Sequence, residues 1–176
     1  MKRALLAVLV GIFSALAIPL AASAASPYCG ITWGSLPKAA GSLTTPYITN
    51  VRTGQNTCYD RMVVDLNGPA NGYNVQYVSE VYAEGSGQII PLKGGAKLNV
   101  VVKNPAYNQT GQPTYPGVVG QPLPGINLTG YQTFRDAKFA GSFEGQTTIG
   151  LGVRARLPFR VFTLDNRLVI DVAHYW

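Results

Sequence analysis

Apolar and polar residues alternate along Arg167–Ala173: Leu168, Ile170 and Val172 fall on one face, Arg167, Val169 and Asp171 on the other. A period of two is the mark of a strand with one buried face. Arg160–Leu164 precedes it, and Asp165-Asn166 stands between the two runs. Asp and Asn tolerate positive φ, so the pair predicts a two-residue turn and a β-hairpin. Arg61–Leu66 repeats the pattern of an Arg, three apolar residues, an Asp and one more apolar residue. Its recurrence near both ends of the chain predicts a sheet in which an early strand and the last one matter together.

Between these ends the chain reads as further short strands: Tyr47–Arg52, Tyr59–Leu66, Tyr73–Val78, Val81–Glu84, Lys97–Lys103, Phe139–Phe143 and Thr147–Arg154. Breakers separate them, among them Asn67-Gly68-Pro69 and Gly85-Ser86-Gly87. In Lys97–Lys103 the apolar Leu98, Val100 and Val102 share one face. No stretch has convincing helical periodicity. The prediction is an all-β fold: an antiparallel sandwich of two sheets, with a partly open barrel as the alternative.

One segment breaks the rhythm. Asn104–Phe134 contains no charged residue, and its first part, Asn104–Asn127, is rich in Pro and Gly. A loop of this length inside a compact domain is either functional or mobile in most cases. Tyr107, Tyr115 and Tyr131 stand in it among Asn, Gln and Thr, a composition that can stack on a sugar ring and bond its hydroxyls. The plainer reading, which we favour, is a Pro-stiffened crossover between the sheets with its tyrosines packed onto the core.

Composition adds the compartment. Lys2 and Arg3, the apolar run Ala4–Ile18, Pro19 and the small residues Ala22-Ser23-Ala24 read as a cleaved secretory leader spanning 1–24. The apolar run is short for a membrane span, so no stable membrane insertion is expected after cleavage. Losing Lys2 and Arg3 lowers the formal charge from +6 to +4 and leaves no run of basic residues, which argues against nucleic-acid binding. Cys29 and Cys58 are the only cysteines; in an exported chain they predict one disulfide tying segment 25–58 onto the domain at 59–176. On the chain-entropy account such a bridge stabilises by about 3–4 kcal/mol.

The chemistry sought is mostly missing. His174 is the single histidine, so a zinc site of ordinary composition is excluded, and no cofactor is expected. No serine stands in a G-x-S-x-G elbow, and Asp171 is the acid that His174 can reach along the chain. Gly150-Leu151-Gly152 lies within a strand and reads as a close packing point or a bulge, not a phosphate loop. Asp65 and Asp171 are expected to pair with arginines or turn amides. Arg154 and Arg156 share a strand face, and with Arg160 they form the nearest thing to a basic patch, a candidate cradle for carboxylate or phosphate groups. The candidate ligand residues are thus Tyr107, Tyr115, Tyr131, Arg154, Arg156 and Arg160, with no catalytic residue assigned.

Tyr59–Leu66, the Tyr73–Val78 strand, Phe143-Glu144-Gly145 with Gly150-Leu151-Gly152, and Pro158–Phe162 leading into Arg167–Val172 resemble the AMIN-like domain of exported actinobacterial proteins. The resemblance covers Cys29 to His174. It implies a β-sandwich and a non-catalytic, secreted or wall-associated module that binds a cell-wall polymer such as peptidoglycan or an associated glycan. An extracellular interaction or adhesion domain that presents Asn104–Asn127 to a protein partner, such as an envelope protein, is the alternative, followed by a hydrolase using two carboxylates such as Glu144.

Overall fold

The period-two pattern resolves into eleven strands in the computed structural model, which describes residues 29–176. The expected leader lies outside the described residues. In chain order the strands are β1 (Lys38–Ala40), β2 (Ile48–Gln55), β3 (Tyr59–Leu66), β4 (Tyr73–Val78), β5 (Val81–Tyr82), β6 (Ile89–Ile90), β7 (Ala96–Val102), β8 (Phe134–Phe143), β9 (Gln146–Val153), β10 (Phe159–Leu164) and β11 (Arg167–Ala173). They form two antiparallel sheets, a five-stranded one in the order β1-β4-β7-β9-β8 and a four-stranded one in the order β10-β11-β3-β2. The result is a sandwich with open edges, as the alternation required, and not a barrel. No helix among the described residues is long and apolar enough to cross a membrane.

One core fills the space between the sheets. Met62, Val64, Ile170 and Val172 from the smaller sheet meet Val75, Leu98, Val100, Ile149 and Leu151 from the larger, all fully buried. Each residue sits where alternation puts it, so the other face of every strand points away from this core. At one side of the sandwich Tyr77 Oη donates to the Leu157 carbonyl (2.8 Å) and Tyr73 Oη to that of Val161 (3.3 Å), joining β4 to the chain around β10.

The long loop closes the opposite side. It joins β7 to β8, two strands of the same sheet, and not one sheet to the other as expected. Along its course it bonds the free edge of β8, through Gly120 N to Phe139 O, Phe139 N to Gln121 O and Leu123 N to Ala137 O. It also bonds β2, through Ile48 N to Pro105 O and Thr114 Oγ1 to Ile48 O. Ala106, Tyr115 and Leu123 drop from it into the core.

Two elements escaped the sequence pattern. The strap ahead of β2 carries β1, which pairs Lys38–Ala40 with Val75–Tyr73 at the edge of β4. The second is β6, which pairs with the expected strand at Val81, β5, in a hairpin across the outer face of the larger sheet over a small cluster of Val81, Ala83, Ile90 and Ala140. Glycines let the hairpin and the segment that follows it approach. A Cβ on Gly150 would stand 2.9 Å from Leu92 Cδ1, and one on Gly152 only 2.0 Å from the Lys93 carbonyl oxygen. The Gly150-Leu151-Gly152 run is a packing point, as its place within a strand implied.

Candidate functional site

Cys29 and Cys58 are joined, with Cα atoms 5.5 Å apart, and the bridge anchors the strap at the start of β3. Gly34 O accepts from Phe159 N, and Trp33 meets Tyr59 edge-on at 5.6 Å. The strap therefore runs over the end of the four-stranded sheet and delivers Trp33 to its outer face.

Of the six candidate ligand residues, Arg160 alone lies on that face. Its Nε donates to Asp171 Oδ2 (2.8 Å), while Arg61 holds the same carboxylate with two bonds, from Nε to Oδ1 (2.6 Å) and Nη2 to Oδ2 (2.8 Å). Asp65 pairs in turn with Arg52 at 2.8 Å. Both aspartates thus have the arginine partners expected of them.

The other five are placed elsewhere. Arg154 and Arg156 do not share a strand face, because β9 ends at Val153 and both stand in the bend that crosses to the other sheet. Pro158 and the change of sheet break the ladder there. Arg154 donates to the His174 carbonyl, and Arg156 to the Ser35 hydroxyl and carbonyl. Tyr115 is 4% exposed and tilts against Phe139, so its ring offers no face to a ligand. Tyr107 Oη accepts from Gly145 N, and Tyr131 Oη donates to Thr53 Oγ1 while its ring stacks on Phe134. These tyrosines hold the loop down at separate places. No binding surface gathers them.

His174 also departs from expectation. Its Nε2 faces Asp60 Oδ1 at 3.0 Å and its Nδ1 the Thr57 carbonyl at 3.2 Å, with Asp171 not involved. Asp60 Oδ2 accepts from the amides of Thr133 (2.6 Å) and Phe134 (2.9 Å). Both side chains are buried, and no serine among the described residues is bonded to the imidazole. The pair latches the start of β3 and the chain's end to the start of β8. Among the described residues no three His, Cys, Asp or Glu side chains assemble as metal ligands.

A two-lobed open depression lies on the outer face and end of the larger sheet. The β5–β6 hairpin walls a trough of about 480 Å³ lined by Ser79, Glu80, Tyr82, Glu84, Asn99 and Thr148. A second lobe of about 580 Å³ continues from Val78 and Ser79 past Tyr77 to Lys97, Gly95 and Arg156. Lys97 Nζ donates to Glu80 Oε2 (2.6 Å) where the lobes meet. Thr148 donates to one oxygen of Glu84. Tyr82 is 53% exposed, and the Asn99 amide makes no hydrogen bond to the protein. Asn99 stands opposite Gln76 in the β4–β7 register, which extends the row of amides along the sheet. An exposed ring beside amides, a hydroxyl and a carboxylate can stack on a pyranose and exchange hydrogen bonds with its hydroxyls. Sequence reasoning passed over these residues. One signal was present, since placing Leu98, Val100 and Val102 inward puts Lys97, Asn99 and Val101 outward.

A family model described as the AMIN-like domain matches residues 46–174. No curated protein and no solved structure matches the chain.

Proposed function

Because the chain belongs to the AMIN-like domain family, we propose that it is a secreted, non-catalytic module that binds a cell-envelope glycan, peptidoglycan or one associated with it, in the two-lobed trough. The observation that carries this reading is the set of unpaired groups facing the trough: the Tyr82 ring, the Asn99 amide and the free oxygen of Glu84. A sheet face with exposed amides and an unused ring is matched by a ligand that offers hydroxyls and apolar ring faces together. The trough is long and open, which suits a stretch of polymer.

The test is sedimentation of residues 25–176, disulfide intact, with purified insoluble cell wall across a salt series. We expect co-sedimentation that survives high salt, no release of soluble fragments, and loss in Tyr82→Ala with the fold retained by circular dichroism. Absence of co-sedimentation, or equal retention in Tyr82→Ala and Asn99→Ala, overturns the reading. A protein partner at the long loop is the second reading, favoured by Val118 and Val119, which stand 62% and 48% exposed at its crest.

A further inference from the structure

The outward face of the four-stranded sheet carries a surplus of arginine. Register places Arg160 opposite Asp171, Asp171 opposite Arg61, Arg167 opposite Asp65, and Arg52 opposite Val63, all on the side away from the core. Four guanidinium groups thus share one face with two carboxylates. Asp171 is divided between Arg61 and Arg160, and Asp65 is taken by Arg52. Arg167 is left exposed, with no carboxylate bonded to it.

Arg160 is held as a fork. Its Nε is spent on Asp171, and no protein acceptor bonds Nη1 or Nη2. Its guanidinium lies 4.2 Å from the Trp33 ring centroid, 5.1 Å from that of Phe162 and 5.4 Å from that of Tyr59, with the side chain 37% exposed. Three aromatic rings pack around the guanidinium and restrict it without using the terminal donors. A planar guanidinium so held presents two parallel N–H groups, the geometry that grips a carboxylate or phosphate with two bonds.

We propose that this face is a second binding site, independent of the trough, for oxyanion groups repeated along a polymer. Arg160 grips one group through Nη1 and Nη2, and Arg167, on the neighbouring strand of the same face, meets another. The oxyanions are phosphates or carboxylates, and the two sources are separable by experiment.

Residues 25–176 would be titrated with polyphosphate and with polygalacturonate, by calorimetry at several salt concentrations. We expect saturable binding to one or both, the tighter polymer naming the source. Arg160→Gln and Arg167→Gln should each lower affinity about tenfold or more, as loss of a charge-assisted bidentate contact does. Lys138→Gln removes the same charge from the other sheet and should leave affinity within about twofold, a change of only tenths of a kcal/mol. Tyr82→Ala should change nothing here, so a failed trough and a failed arginine face give different results. Failure of both polymers to bind overturns the proposal, and so does a loss in Lys138→Gln equal to that in Arg160→Gln, which would reduce the effect to net charge.

Discussion

Arg61 and Asp171 stand directly opposite one another on β3 and β11, joined by two hydrogen bonds, and each comes from one copy of the same six-residue pattern. The copies run antiparallel, so the Arg of each faces the Asp of the other, with Val63 against Val169 at the centre. The symmetry is broken at one end, where Asp65 bonds Arg52 and not Arg167. It is broken at the other by Arg160, which joins Asp171 as a second cation.

Asp171 is fully buried while Arg61 and Arg160 still reach water. Replacing it with Ala leaves two guanidinium groups facing each other without a counter-charge. The expected loss is about 2–3 kcal/mol, less than for a fully buried pair because both cations remain partly solvated. Urea unfolding of the wild type and of Asp171→Ala measures it; a change below about 0.5 kcal/mol, the level of an ordinary surface substitution, sinks the account.

Cutting the Cys29–Cys58 bridge should act on both stability and binding. The pair Cys29→Ser, Cys58→Ser is expected to lose about 3 kcal/mol through the freed unfolded chain. It should also unseat Trp33 and so weaken polyanion binding by the same route as Trp33→Ala. Equal affinity in the bridged and unbridged proteins would separate the strap from the arginine fork.

Burial pushes the phenols of Tyr115 and Tyr77 up to about 12 from an ordinary value of 10. The folded state therefore holds these protons more firmly than the unfolded chain does. Their contribution is intact below pH 10 and declines as pH rises through 10 toward 12. Tyr115 Oη is buried with no hydrogen-bond partner, so Tyr115→Phe should be neutral or stabilising by about 1 kcal/mol at pH 7. It should also flatten part of the alkaline decline, Tyr77 retaining the rest. Thermal melts at pH 7 and pH 11 decide this; a destabilised Phe variant at pH 7 would mean that the hydroxyl has a partner in solution.

Gly152→Ala forces a Cβ to within 2.0 Å of the Lys93 carbonyl oxygen, a backbone atom of the connection from β6 to β7. About 1–3 kcal/mol of destabilisation is expected, from overpacking. Gly34→Ala, at a position open to solvent but with φ of 70°, should cost about 1 kcal/mol from backbone strain alone. Comparing the two by denaturant midpoint isolates the packing effect.

Much of the sandwich was legible because alternation alone decides which face a strand buries. Tyr59–Leu66, Tyr73–Val78 and Arg167–Ala173 emerge with the bounds their patterns give. The first half of β8 was not legible, since Arg135, Asp136 and Lys138 interrupt the alternation and two register shifts absorb the misfit. Neither was β1, whose three residues are held by β4 and by the bridge more than by their own preference. Candidate binding residues fared less well, because contact depends on which strands become neighbours. Arg160 could be picked out as a basic residue; its stack on Trp33 needed the strap, and the trough needed a hairpin that folds back over glycines. Tyr115 carries the same letters as a sugar-stacking residue, and only the three-dimensional path of the loop buries it.

The loop that covers the edge of β8 also governs how this chain can meet other strands. An unpaired sheet edge is a template for a foreign strand, and hence for aggregation. Here a Pro-rich segment bonds Ala137 and Phe139 on the edge of β8 but only Ile48 on that of β2, and its prolines have no amide to offer a newcomer. On the opposite side β1 is three residues long, which leaves β10 and the part of β2 beyond Ile48 as the edges of useful length among the described residues. A partner that docks by adding a strand is directed to the smaller sheet, along β10 beside Arg160 or along β2 beside Arg52.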